Sequence, residues 1–464
     1  MTPEVPKAAP IIIAALPIAS NLGARTLYTY TLDVLKGLIK VGVKVVSYAS
    51  DGTEVERSVG KMLIENADWK HTHVIRNPRR GWADTCATVI KVDGQLLVII
   101  QDSKHCIKTL RNNLFSGANC LTLGNYIATF SHVATVATEA GTPLFRRDVF
   151  KLDRQDDNAA TRLFSAETLD FIAIGHPEYA AEIVYLFVFG ELGDAYQNRK
   201  ITHRERLRMV LRAQYFVDRW ECWLTACGYP KKKHFLSREA LDIIRILVEG
   251  YIGLMFLHRD NDDTTAVPFI PWLHSTEACE HVFGEARKIV KDFCVLDFIY
   301  MIPKLTVALR QAALEARSAD PKATASGYNH TYLDSTQLDM MALASYPDDD
   351  EVLEIAAAAA EDVDTLVQLI GVVPARLNQV RLLQQTSLPS IDTWFQRFDA
   401  VGDDEDDDNG YWQESESSSE LQQLQDILDA EEADTQALSQ KGEDAMLNIA
   451  CAASALTIDD MSCL

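Results

Sequence analysis

The stretch 97-LVIIQDSKHCIKTLRNNL-114 decides how this chain reads. The apolar run Leu96–Ile100, entered from an Asp93-Gly94 turn signal, has the length and composition of a fully buried strand. Gln101-Asp102-Ser103 ends it, and a helix follows. At 3.6 residues per turn, Ile107, Leu110 and Leu114 fall on one side of that helix, and His105, Lys108 and Asn112 on the other. The apolar side packs on a sheet. The other side places an imidazole, an ammonium and an amide just beyond a strand C-terminus, where the sites of open α/β sheets lie. Taken alone, the stretch is most simply an ordinary strand–helix unit with a solvated polar face.

The same pattern recurs upstream. Ile11–Leu16 reads as a buried strand, Tyr28–Val41 as a helix closed by Gly42, and Val43–Tyr48 as the next strand. That strand runs into Ser50-Asp51-Gly52-Thr53, and a helix follows through Leu63, so Asp51, like Asp102, sits just past a strand end. Two carboxylates at neighbouring strand ends suit a divalent metal, because hard cations take oxygen ligands. Asp-Gly is also common turn punctuation, and Asp51 by itself reads as that. Residues 65–92 read as a loop and a hairpin strand, with Arg76, Arg79 and Arg80 making the region basic in places.

Downstream the pattern turns helical from Leu121 to His258. Arg199, Lys200, Arg204, Arg206, Arg208 and Arg212 have a spacing that would follow a nucleic-acid backbone, although the interleaved Asp194, Glu205 and Asp218 favour a plain solvated helix. Lys231-Lys232-Lys233 reads as a basic loop. A further helix is expected within 268-PFIPWLHSTEACEHVFGEARKIVKDF-293, capped by Ser275 or Thr276. Its apolar face is Ala278, Val282, Ala286, Ile289 and Phe293; Glu277, Glu280, Gly284 and Arg287 lie opposite. A helical glycine costs up to about 1 kcal/mol relative to alanine. Here it would open space beside Glu280 for a metal or a phosphate backbone. Leu296–Arg317 continues as helix, bent at Pro303.

Composition sets the outer limits. The net charge of -23 is carried by the C-terminal part: residues 341–464 hold 28 acidic and 4 basic side chains, leaving 39 acidic and 40 basic before them. A nearly neutral body does not exclude nucleic acid as a partner. Glu351–Ile370 reads as an alanine-rich helix, Asp403–Asp408 and Ser415–Ser419 as disordered low-complexity sequence, and Leu421–Ala437 as a short acidic helix. Nine scattered cysteines without a CxxC pair point to a reducing compartment. No apolar run reaches the ~18 residues of a membrane span, no signal peptide is seen, and a soluble intracellular protein is expected. There is no GxxxxGK[ST] or GxGxxG loop, which argues against a standard P-loop and against a metabolic α/β enzyme built on a dinucleotide cofactor.

Three motifs in this order resemble the P-element and THAP-type DNA transposases. The first is a strand ending in Ser50-Asp51-Gly52. The second is D-x-x-H-x-x-K-x-x-R-N-x-L, met by Asp102, His105, Lys108, Arg111, Asn112 and Leu114. The third is T-x-x-x-E-x-x-F-G-x-x-R, met by Thr276, Glu280, Phe283, Gly284 and Arg287, with Glu277 three before the glutamate. The resemblance covers roughly residues 10–130 and 235–315. It implies an α/β protein with an RNase H-like core: residues 1–120 as its N-terminal part, 121–262 as a helical insertion, 263–345 as its C-terminal helices, and 346–464 as an acidic tail. It further implies a nuclear enzyme that cuts and joins DNA at transposon ends with Mg2+ or Mn2+, and it admits a homo-oligomer. By motif position Asp51 and Glu280 are the metal-binding catalytic carboxylates, Glu277 is an auxiliary, and Asp102, His105, Lys108, Arg111, Asn112 and Arg287 are supporting residues. The family's insertion can bind GTP, but no residue of 121–262 maps to such a site. The family's first catalytic carboxylate precedes the second on an earlier strand. Here only Glu4 and Asp33 precede Asp51, and neither sits on such a strand, so a truncated core with impaired catalysis is expected. The alternative is a domesticated, non-catalytic DNA-binding or protein-interaction protein.

Overall fold

In a computed structural model, residues 1–3, 8–16, 22–116, 120–150, 153–260, 268–318 and 338–386 are described. The N-terminal part contains α1 (Ala24–Lys40), β1 (Ser47–Ser50), α2 (Glu54–Glu65), β2 (Trp69–Ile75), β3 (Thr85–Val92), β4 (Gln95–Gln101) and α3 (Ser103–Phe115). The strands form one mixed sheet in the order β1-β4-β3-β2. β1 and β4 run parallel, pairing Ser50 with Gln101; β4, β3 and β2 form an antiparallel meander. The β3–β4 hairpin turns through Asp93 and Gly94, with φ of 46° and 80°, the paired positive φ that a two-residue turn requires. Thr53 and Glu56 form a capping box that starts α2.

The sheet is covered on both faces because β4 alternates. Leu97 and Ile99 pack with Leu35, Val59 and Leu63 of α1 and α2, whereas Val98 and Ile100 join the main core. That core continues into a helical region: a short hairpin, β5 (Leu121–Leu123) and β6 (Tyr126–Ala128), then α4 (Phe130–Thr138), α5 (Arg146–Phe150), α6 (Asp157–Leu163), α7 (Ala166–Gly175), α8 (Ala180–Gln197), α9 (His203–Ala226), α10 (Lys231–His234) and α11 (Arg238–Asp260). α11 lies directly on the sheet. Its Gly250 and Gly253 leave room for Ile100 and Val98, which a β-carbon at either position would press against. α12 (Glu277–Ile289) and α13 (Val295–Ser318) follow, with Pro303 inside α13. α14 (Asp349–Leu369) and α15 (Pro374–Thr386) complete the described chain.

Four expectations change. Ile11–Leu16 forms no strand: Ile11, Ile13 and Leu16 are 42–48% exposed, and Ile12 packs on the α12–α13 cluster. An apolar run cannot specify pairing without a neighbouring edge; here Ala15 joins Ile12 on the α12–α13 cluster. β1 begins at Ser47, later than expected; of the preceding residues, Val46 still accepts a hydrogen bond from Val98. The polar side of α3 is not solvated, since Lys108 and Arg111 are buried. Finally, the boundary at 346 leaves a packed segment on its C-terminal side. The alanine-rich helix is present as α14, and its Val352, Ala356, Ala359, Ala360 and Val363 belong to the main core. The low-complexity stretches and the helix expected at Leu421–Ala437 lie outside the described residues. Among the described residues no helix is long and apolar enough to cross a membrane.

Candidate functional site

Parallel pairing makes β1 and β4 end side by side, so Asp51 and Asp102 emerge at the same edge of the sheet. The Asp51 turn is fastened from below. Gln101 is fully buried and donates from Nε2 to the Ser50 carbonyl at 2.8 Å. Gly52, at φ +93°, lies against that amide, and a β-carbon there would overlap it. Arg57 donates to the Gly52 carbonyl and pairs with Glu239 at 3.3 Å, which ties the turn to α11.

The two oxygens of Asp102 have separate partners. Oδ1 caps α3, accepting from the backbone N–H of Lys104 (2.7 Å) and His105 (3.1 Å). Oδ2 accepts from the backbone N–H of Thr276 and lies 2.8 Å from its hydroxyl. The same Thr276 hydroxyl lies 2.5 Å from Asp51 Oδ1. Thr276 therefore does not cap α12 with its side chain, as its position suggested; Ser275 Oγ accepts from Glu277 N–H instead, at 3.2 Å. One hydroxyl carries one hydrogen and faces two carboxylates, so it satisfies one of them at a time.

α12 brings Glu280 to the same cluster. Burial, chiefly, pushes its carboxyl up to about 7; Asp157, Asp102 and Asp51 add to this, and Lys108 opposes it. Lys108 is itself buried, which disfavours its charge, but Asp157 at 3.0 Å, Glu280 and Asp102 outweigh burial and hold its pKa above the usual value. Asp157 is a member of the site that the sequence did not reveal. It is delivered by the rest of α3's polar face: Arg111 donates to the carbonyls of Asp153 (2.5 Å) and Asp156 (3.0 Å), and Asn112 reaches the Arg154 carbonyl at 3.5 Å. The advance signal was no more than a charged, helix-prone stretch at 149–166.

Other expected residues fall elsewhere. Glu277 is buried and paired with Lys104 at 2.8 Å, so it turns onto α3 rather than sharing an open face with Glu280. Arg287 is exposed two turns further along α12. His105 contributes its backbone N–H, with its side chain half-buried. Asp33 is exposed on α1, and Glu4 lies outside the described residues. The oxygen-only donor set of Asp51, Asp102 and Glu280 fits a hard divalent cation. The side chains are not yet arranged as a cage: among the described residues no group of three His, Cys, Asp or Glu is placed to hold a metal ion. Thr276 stands between two of the carboxylates, and Lys108 stands beside the third.

The basic stretch of α9 is engaged internally. Arg204 meets Glu351 (2.6 Å), Arg208 and Arg212 both meet Asp362 (2.7 and 2.6 Å), and Arg219 meets Asp364 (3.3 Å), all from α14. Arg206 is buried and donates to the carbonyls of Ala195 (2.6 Å) and Asn198. These arginines do not form an open track for a nucleic-acid backbone. Lys231–Lys233 belongs to α10, with Lys231 on Glu221 at 2.9 Å.

No family model and no curated protein matches the chain. Among solved structures, the Drosophila P element transposase strand transfer complex is similar at 16% identity and a TM-score of 0.45, over 64% of this chain; the match spans 65% of that chain.

Proposed function

We propose that this chain is a transposase-related protein whose Asp51, Asp102 and Glu280 form an RNase H-like acidic site for cutting and joining DNA phosphodiesters with Mg2+ or Mn2+. One observation carries the reading: the carboxylates of Asp51 and Asp102, at neighbouring strand ends, share the Thr276 hydroxyl, and Glu280 on the helix that follows feels the charge of both. The order of the three motifs supports the same reading. Asp102 here takes the place of a third carboxylate, rather than only supporting the other two.

Asp51, Asp102 and Glu280 would hold the divalent ions, which would supply activation of water or a DNA 3′-hydroxyl and offset charge on the attacked phosphate. The chain's own residues prepare for that. Gly52 and Gln101 fix the Asp51 turn. Asp102 keeps one oxygen on the α3 cap and leaves the other toward the site. Glu280, about half protonated at pH 7, would give up that proton on loading. Lys108 holds Asp157 and leaves a positive charge beside the carboxylates.

The second reading is a non-catalytic DNA-binding or protein-interaction protein. It is favoured by the way Thr276 and Lys108 already occupy the spaces between the carboxylates. Calorimetric titration with Mn2+ on the purified chain separates the readings. The first predicts binding with release of about one proton per ion near pH 6.5. It also predicts loss of binding in Asp51→Asn with Glu280→Gln, and metal-dependent nicking of DNA. Undiminished Mn2+ binding in the double variant would remove the site assignment. Site-dependent binding with no cleavage of any DNA substrate would favour the second reading.

A further inference from the structure

At the far edge of the sheet from Asp51, β2 buries little of itself: only Ile75 is fully buried, and Trp69, Lys70, His71 and Thr72 are exposed. Alternate residues of a strand share a face, and here those residues are Trp69, His71 and His73. Their rings form a continuous ladder. Trp69 and His71 stack with centroids 5.7 Å apart at 10°, His71 meets His73 edge-on at 4.5 Å, and His73 stacks on Phe256 of α11 at 4.4 Å and 9°. The inner end is closed, because Phe256 is buried and carries the Arg259 guanidinium at 4.5 Å. The outer end is open: Trp69 is 43% exposed.

Charge differs between the two ends. Arg259 is neutralised by Asp260 and Asp349. At the open end Lys91, the cross-strand partner of Trp69, holds its ammonium 4.9 Å from the indole centroid. Lys70 projects to the other face of the strand, where its ammonium donates to the Glu65 carbonyl. Of the acids nearby, Asp93 lies 3.8 Å from Lys36, while Asp68 accepts from the Asp93 N–H, a backbone donor without charge. Arg76 and Arg80 are exposed just beyond the strand. Lysines alone would protect a sheet edge from unwanted pairing. Three rings in series at alternate positions do nothing for that purpose.

We infer that the β2 edge is a binding site for single-stranded nucleic acid. A base stacks on the Trp69–His71 end of the ladder, and Lys91, on the same face, takes the adjoining phosphate. Stacking requires an unpaired base, which selects single strands over duplex. The seven residues of β2, about 23 Å, accommodate a few nucleotides. This site is separate from the acidic cluster and needs no metal, so it stands or falls apart from the proposed function.

The test is fluorescence anisotropy of labelled dT12, rU12 and a 12-base-pair duplex on the full chain, in EDTA. Both single strands should bind more tightly than the duplex, and comparable binding of the two would place recognition in the base rather than the sugar. Trp69→Ala with His71→Ala should weaken dT12 binding about 10-fold or more. Trp69→Phe should retain most of the affinity while losing the binding-induced quench of indole fluorescence, which guards against a folding defect in the alanine variant. Equal binding of dT12 by the wild type and the alanine variant would overturn the inference. So would duplex binding as tight as single-strand binding, or retention of the quench in Trp69→Phe.

Discussion

Along α9, four arginines each face a carboxylate of α14, whereas at the ends of β1 and β4 Asp102, Asp157 and Glu280 gather about one buried ammonium, Lys108, with Asp51 beside them. Both regions are dense in charge, but only the first is balanced. The Asp362 carboxylate takes two guanidiniums, and the alanine face of α14 beneath it is in the core, so this region is a structural seam. At the acidic cluster the fold concentrates like charge and desolvates it, a cost that structure alone does not require. Surplus charge held in place by Gly52, Gln101 and Arg57 marks a candidate site; matched charge marks an interface.

The largest effect should come from removing one side of the balanced region. A chain ending after Thr386 keeps α14 and should unfold cooperatively. A chain ending after Ser345 takes Val352, Ala356, Ala359, Ala360 and Val363 out of the main core and leaves Arg212 without Asp362. It should lose its cooperative thermal transition and precipitate. Matching melting curves for the two chains would show that α14 is an accessory and the comparison is wrong.

A smaller cut at the same seam distinguishes buried from exposed pairing. Arg212 is only 8% exposed in its side chain; Asp362→Ala removes one of its two carboxylate partners, Glu191 remaining, and also unpairs Arg208, for a loss of about 2 kcal/mol in urea denaturation. Arg204 and Glu351 are 41% and 35% exposed, and Arg204→Ala should cost under about 1 kcal/mol despite its good geometry. Equal losses would mean that burial is not what gives the seam its strength.

The contrast explains what could be foreseen. Asp51 and Asp102 were legible because a strand end followed by a turn or a cap is a local pattern. α14 was legible as an alanine-rich helix. Its location in the core was not, because acidic composition reads as a tail until the arginines of α9, about 150 residues earlier, are set against it. Thr276 is a helix cap by every local rule, yet its hydroxyl turns to a carboxylate 225 positions away. Asp157 entered through Lys108 and Arg111, whose reach across the intervening chain no spacing encodes. The helical region was foreseeable as helix, but not that Gly250 and Gly253 would set α11 against the sheet and join the two parts in one core.

The acidic cluster should respond to neutralisation with the opposite sign, and pH is the lever. Glu280 is held at about 7 in the folded chain against an ordinary 4.5, so the folded state binds the proton more tightly. Stability from this group is fully present below pH 4.5 and is lost as pH rises through about 7. Glu249, also raised to about 7, and Asp218, raised to about 6, titrate in the same window because both are buried. The informative quantity is therefore the difference between the wild type and Glu280→Gln, in which those groups cancel. Without divalent ions, the variant should match the wild type near pH 4.5 and exceed it above pH 7 by about 2 kcal/mol at most, a figure reduced for partial exposure. Saturating Mn2+ should reverse the order, since only the carboxylate gains from the ion. A pH-independent difference would show that neither burial nor the neighbouring carboxylates raise the Glu280 carboxyl. The cluster would then be as balanced as the α9–α14 seam, and the distinction between site and interface would fail.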